Sequence, residues 1–429
     1  MKIRWTRRGA RLRIDDLELD ALRSGRVLRE DLPLPGGRWT VELRAGGRGG
    51  AGGRGRRAAR RPGARRAGDA ARSGPRGRGT RGAASPHGGE GLPARAPGGR
   101  VSGPVAGEVV FWRGGMRESA HRVHVAVVDP SGHLVASAGD ADLVTFPRSS
   151  SKPVQALPLA EAVPDLSTEE LAIACASHAG TDEHLRVVRR LLERAGLGPG
   201  ALRCGTHPPF DADAALALAC RGEAPGALHH NCSGKHAGML LTCVARGWPV
   251  EGYTEPDHPL QQEILMLHAE LGGTDDVIAG RDGCSVVAVA THLHAAGRIF
   301  ARFAAPSGPH AGTLERVFTA MSGHPFLIAG RGRLDTELMP RVAGAMSKMG
   351  AEGFFGLALR ETARGPLGVA IKVEDGGERA RAHVTLAVLE ALGVEVQGEL
   401  YDLYPRVLTN FAGYEVGEVT VNLPLVVPT

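Results

Sequence analysis

Apolar and polar positions first fall into a clear pattern at 123–128. There Val123, Val125, Ala126, Val127 and Val128 form a β-run, Asp129-Pro130-Ser131-Gly132 a turn, and 133–136 a second β-run, which together predict an N-terminal β-hairpin. Helical patterning follows. Ser167 with Glu169 and Glu170 supplies a cap and first-turn acids for 171–175, and Thr181 caps a segment with Leu185, Val188, Leu191 and Leu192 on one face, closing near Gly196. Further on, 275–278 reads as a strand and 285–296 as the helix after it, then 353–359, 368–372 and 379–392 as strand, strand and helix. No fixed-period repeat is present. The pattern predicts an α/β (α+β) fold, with a mixed β-sheet flanked by helices.

Ahead of this pattern the composition is different. Residues 44–104 are Gly, Arg, Ala and Pro with almost no large apolar side chains, so they bury too little surface to offset ordering entropy and are expected to be disordered. Residues 1–43 carry some apolar positions (Ile14, Leu17, Leu19, Val27, Leu28) and no recognisable chemistry. The expected organisation is a leader, 1–104, and a catalytic domain, 105–429. Charge divides the same way: residues 1–100 hold 25 basic and 9 acidic side chains, net +16, and the rest 27 against 37, net −10. An Arg/Gly run binds nucleic acid in some proteins, but this one lacks interleaved aromatics to stack on bases. A solvated tail, or upstream sequence translated from a misassigned start, is the preferred reading. Arg7-Arg8 is not followed by an apolar run of signal length, which makes the cytoplasm the default location. Six cysteines in 429 residues are too sparse for a disulfide scaffold.

Lysine usage points to chemistry. The chain has five lysines against 47 arginines, and beyond Lys2 only Lys152, Lys235, Lys348 and Lys372 remain. An ammonium loses its proton when desolvated and a guanidinium does not, so these positions are candidates for work that Arg cannot do. Ser149-Ser150-Ser151-Lys152 is an S-x-x-K motif. Residues three apart share a helix face, which selects Ser149 as the hydroxyl paired with Lys152 and places the motif in a first turn, where Pro153 is tolerated. Arg148 is a cation suited to lowering the Lys152 pKa. The competing reading is an ordinary helix start. Lys348-Met349-Gly350 resembles a Lys-Thr/Ser-Gly element without its hydroxyl, and Ser177, at the junction of two predicted helices, is the candidate for the missing group. His178 beside it reads as a structural imidazole more readily than as a base. Cys232, Lys235 and Cys284 form a conceivable zinc set, with separately buried cysteines as the bland alternative. Asp282 is suited to an amino-acid ammonium or, more plainly, to a turn.

Taken together these motifs resemble the asparaginase II (class 3) family, which is similar in fold to serine β-lactamases and glutaminases. The likeness runs from Arg113 through Pro147-Arg148-Ser149, Lys152-Pro153, Cys175-Ala176-Ser177-His178, Cys204-Gly205, His230 to His236, Gly252-Tyr253, Asp282-Gly283-Cys284, His324-Pro325, Lys348 to Gly353, Lys372 to Gly376, and Asn410 to Glu418. It covers 107–420 and omits the leader. The resemblance implies hydrolysis of L-asparagine to aspartate and ammonia through two Ser–Lys pairs, Ser149 with Lys152 and Ser177 with Lys348. It also implies zinc at Cys232, Lys235 and Cys284, substrate contacts from Arg148, Asp282 and His236, and a homodimer. Ser149 is the favoured nucleophile. Ser285-Val286-Val287 departs from the Gly and Pro that family members tend to carry there, and Lys372 has no assigned role. The rival readings are a glutaminase, a β-lactamase-like enzyme, which lacks its S-x-N and Lys-Thr-Gly signals and an export signal here, and a nucleic-acid-binding protein acting through the leader.

Overall fold

The computed structural model describes residues 105–426 and, within the first 43, four strands together with Ser24 and Val27. The expected disorder of 44–104 lies outside the described residues. The chain divides into two compact units, one of Asp15–Ser102 and one of Met1–Ile14 with Gly103–Thr429. Strands β1 (Lys2–Thr6) and β2 (Gly9–Arg13) form one antiparallel hairpin, and β3 (Leu28–Leu34) and β4 (Gly37–Leu43) another.

The larger unit is built on an eight-stranded sheet. Its strands are β5 (Gly107–Arg113), β6 (Met116–Val128), β7 (Leu134–Ala138), β11 (Ala345–Met349), β12 (Phe354–Leu359), β13 (Leu367–Val373), β14 (Val407–Thr409) and β15 (Glu415–Asn422). The order is β11-β12-β13-β6-β5-β15-β14, with β7 also on β6. Every pairing in it is antiparallel, so the sheet is not the mixed one expected: short turns after β5, β6 and β12 fold each strand back beside the one before it. The expected hairpin is β6 with β7, and the strands expected at 353–359 and 368–372 are β12 and β13. Alternation along β6 sends Val123, Val125 and Val127 to one face and Ala126 and Val128 to the other. Helix Glu378–Ala391 covers the first face with Val384 and Val388, and helix Leu293–Ala304 the second with Leu293 and Ala296. The close seat of that second helix needs Gly368, where a Cβ would stand 2.1 Å from the backbone oxygen of Gly297.

A separate three-stranded sheet, β8 (Val144–Thr145), β10 (Val287–His292) and β9 (Ile278–Arg281) in that order, packs through β10 against helices Pro259–Gly272 and Leu293–Ala304. Here the sequence expectation needs correction. The segment 285–296 is not one helix: Val287–His292 is strand and the helix begins at Leu293, capped by His292. A buried apolar run is ambiguous in period, and its valines, stiff at χ1, favour the strand once β9 offers a partner. That partner sits three residues later than expected, at 278–281, in register Ile278 with Ala290. Elsewhere the caps stand as read. Ser167 and Glu170 form a reciprocal capping box on helix Thr168–Ala174, and helix Asp182–Arg194 ends before Gly196 in the left-handed region.

Candidate active site

Three chain segments converge on the candidate site. The first is the turn Arg148–Ser151 leading into helix Lys152–Gln155, with Pro153 in the first turn. Arg148 has φ +54, a left-handed conformation that costs a non-glycine residue about 1–2 kcal/mol, and the surroundings hold it there. Its guanidinium donates to Asp282 at 2.8 Å, and the turn is fixed to β11 by the Ser150 hydroxyl, which donates to the Lys348 carbonyl. Gly350 makes this approach feasible, because a Cβ there would lie 2.1 Å from the Pro147 carbonyl oxygen.

The second segment is Cys175 to Gly180, between two helices. Lys152 Nζ donates to the Ala176 carbonyl at 2.5 Å and lies 2.9 Å from Ser177 Oγ. Lys152 and Ser177 are 1% and 3% exposed, whereas Ser149 is only half-buried. The side chain that Lys152 meets is therefore Ser177, in place of the expected Ser149, although Lys152 N–H bonds the Ser149 carbonyl within the same turn. His178 is fully buried. Its Nε2 lies 2.9 Å from Ser233 Oγ, and because that hydroxyl donates to the Leu228 carbonyl, the imidazole is the donor. Burial holds its pKa well below the usual histidine value, with His184 and Lys152 adding repulsion.

The third segment is β11. Lys348 is fully buried, donates to the Met349 carbonyl at 2.9 Å and faces Asp335 Oδ2 at 3.7 Å. Burial lowers its pKa to about 7; Asp335 pulls upward, and Lys152 and Arg333 push further down. The expected Ser177–Lys348 pair shares this region, but the Lys348 ammonium donates to the Met349 carbonyl and not to Ser177.

Beside them lies a thiol cluster. Cys232 caps helix Ser233–Ala245, one turn ahead of Lys235, and Cys284 arrives from the β9–β10 turn. Lys235 Nζ donates to Cys284 Sγ at 2.9 Å. The Cys284 thiol lowers the Cys232 pKa well below normal, and Cys232 together with burial raises that of Cys284. Burial opposes the Lys235 charge, but both thiols and Asp282 outweigh it and raise its pKa. Asp282 loses charge stabilisation to burial and more than regains it from Lys235 and Arg148, so its pKa is lowered. His236 is fully buried, and its position differs from a substrate contact. The Tyr253 hydroxyl accepts from Arg203 N–H and donates to His236 Nδ1 at 2.7 Å, while His236 Nε2 is buried without a hydrogen-bond partner among the described residues. Ser285 has φ +77, a conformation that glycine adopts freely and that strains a residue with a side chain.

Over residues 109–421 the chain matches the L-asparaginase II family. It belongs to that family. No curated protein sequence matches it. Among solved structures it is similar to a β-lactamase from Mycobacterium bovis, at 15% identity over 63% of this chain and 94% of that one, TM-score 0.37. It is also similar to a Bacillus glutaminase, at 11% identity over 64% and 92%, TM-score 0.31. A third similar structure is Mglu in its native form, at 13% identity over 65% of this chain, TM-score 0.30; the match spans 66% of Mglu, a little under two thirds of its length.

The zinc set expected from the family resemblance has its three side chains together, but as two sulfurs and a protonated amine. Among the described residues no cluster of three His, Cys, Asp or Glu side chains is placed to hold a metal. The set suits zinc only with Lys235 neutral, a state that a dication would favour. Sequence reasoning missed Asp335 and gave Tyr253 no role of its own. Both act through another side chain, at separations of 13 and 17 residues, and no local spacing marks them. Lys372, left without a role, donates to the carbonyls of Glu352 at 2.7 Å and of Val373, pinning the turn after β11.

Proposed function

We propose that this L-asparaginase II family member, a hydrolase acting on amides, cleaves L-asparagine to L-aspartate and ammonia. The observation that carries the reading is the buried contact between Lys152 Nζ and Ser177 Oγ at 2.9 Å, one turn from the accessible Ser149. A nucleophile must be reachable by substrate, and a proton relay need not be. Ser149 is therefore assigned the attack on the amide carbon, and Ser177 with Lys152 the removal of its proton. Lys348, with a pKa of about 7, is the second base: in its neutral form it takes up the proton that Ser177 and Lys152 remove from Ser149, and then delivers it to the departing ammonia. The acyl group on Ser149 is then released by water activated by the same groups.

Arg148 and Asp282 form an ion pair at 2.7 Å, with side chains 29% and 13% exposed. A guanidinium and a carboxylate side by side complement the carboxylate and ammonium of a free amino acid, which would open the pair on binding. That clamp sets one distance to Ser149, so glutamine, longer by a methylene, places its amide carbon off the line of attack. Zinc, if bound by Cys232, Lys235 and Cys284, would add a fixed positive charge beside this clamp. A cytoplasmic, homodimeric enzyme remains the proposed setting. Among the described residues no helix is long and apolar enough to cross a membrane.

The test is ammonia release from asparagine and glutamine, with ring opening of a chromogenic β-lactam followed by its colour. Asparagine turnover well above the other two supports the assignment. Comparable rates on both amides, or β-lactam turnover alone, would sink it in favour of a glutaminase or a β-lactamase-like enzyme.

A further inference from the structure

Strand β11 is an outer strand of the main sheet, and its outward edge groups need partners from elsewhere. One side chain supplies them around Lys348. Asp335, on the short helix Leu334–Leu338, is fully buried; its Oδ1 accepts from the Ser347 hydroxyl at 3.0 Å and its Oδ2 from the Met349 backbone N–H at 3.0 Å. These are the residues on either side of Lys348, and the same Oδ2 faces the Lys348 ammonium at 3.7 Å. A carboxylate that holds i−1 and i+1 while facing i fixes both the strand and the side chain between them.

We propose that Asp335 is a positioning residue for catalysis, which grips β11 on both sides of Lys348 and sets the direction and basicity of that amine. The proposal rests on the assignment of Lys348 as the second base. Without Asp335, burial and the nearby cations would leave the lysine too weak a base and free to turn. The charged and titratable groups facing Lys348 are Asp335, Lys152, Arg333, Cys232 and Cys175. Those facing Asp335 from its other side are Arg381 and Tyr404. Of the groups that face Lys348, Asp335 alone is an acid in salt-bridge range, so its removal has a definite sign.

The scarcity of lysine makes the test direct, because selective isotopic labelling of lysine gives only five side-chain signals to follow against pH. In Asp335→Asn the Lys348 titration should move to lower pH by about one unit, as expected for loss of an opposite charge within salt-bridge range. The inflection of kcat against pH should move with it, and kcat should fall by about 10- to 100-fold with KM nearly unchanged. A folded Asp335→Asn protein whose Lys348 titrates where the wild type does, whatever its thermal stability, would overturn the proposal. Should that variant not fold, Lys348→Met serves instead. It leaves a buried carboxylate facing no ammonium, so the loss of stability relative to the wild type should widen as pH rises, and a stability profile parallel to the wild type would overturn the pairing. The titration needs no substrate: a shifted Lys348 signal without asparagine turnover would refute the asparaginase assignment and leave the grip intact.

Discussion

At the scale of single residues, the site sets a half-buried serine, Ser149, beside a buried one, Ser177. Ser149→Ala and Lys152→Ala should each lower asparagine turnover by about 10³-fold or more, and Lys152→Arg should not rescue, since a guanidinium does not give up its proton. Ser177→Ala should cost less than Ser149→Ala if it relays a proton, and steady-state kinetics on the three variants orders the roles. Turnover close to wild type in Ser149→Ala would move the attack to Ser177. The pH profile follows from Lys348. Its folded pKa, about 7, lies below the ordinary lysine value, so the amine is charged below that point and neutral above it. kcat should rise through about pH 7 and level off on the alkaline side. His178 as base would place the rise well below 6.5, because burial depresses that imidazole.

At the scale of elements, the active geometry depends on a turn touching a strand. Gly350 ends β11 where the Pro147 carbonyl passes, and Gly350→Ala would put a methyl 2.1 Å from that oxygen. Backbone must move to relieve it. The displacement carries Arg148 and Ser149 with it, so kcat should drop by about 100-fold, as a misplacement near 1 Å does, with circular dichroism reporting whether the fold survives. The thiol cluster likewise joins a helix start to the β9–β10 turn. Because Lys235 must lose a proton to become a ligand, zinc uptake measured by elemental analysis should tighten as pH rises, and Lys235→Arg should abolish it. Full activity in protein free of metal at every pH would leave the cluster as a buried hydrogen-bonded group.

At the scale of the whole molecule, the family match begins at 109 and the site draws on residues from 148 to 348. A chain starting at residue 105 should therefore keep kcat and KM within about twofold, the range expected when no group acting in the transition state is removed. Its salt dependence should match that of the full chain. Loss of activity on truncation would give residues 1–104 a part in the enzyme, and loss of a steeply salt-dependent affinity for nucleic acid would support the binding role instead.

Much of the architecture was legible locally. The β6–β7 hairpin, β12, β13, the capping box at Ser167 and helix 378–391 follow from alternation, turn residues and caps, which act within a few residues of one another. So did the inventory of chemical groups, because four lysines in an arginine-rich domain stand out. What the sequence could not determine is which groups meet. An i, i+3 spacing placed Ser149 beside Lys152, but the hydrogen bond goes to Ser177, 25 residues away, because helix Lys152–Gln155 packs under that loop. His236 read as a substrate contact and is buried on Tyr253. The strand at 287–292 read as helix, since a fully buried apolar run has no period of its own and only β9 beside it settles the choice. Asp335 left no local mark at all. Its role exists only where β11, a short helix and one buried amine are brought into contact, and burial, which sets the strength of every charge in the site, is a property of the packed chain alone.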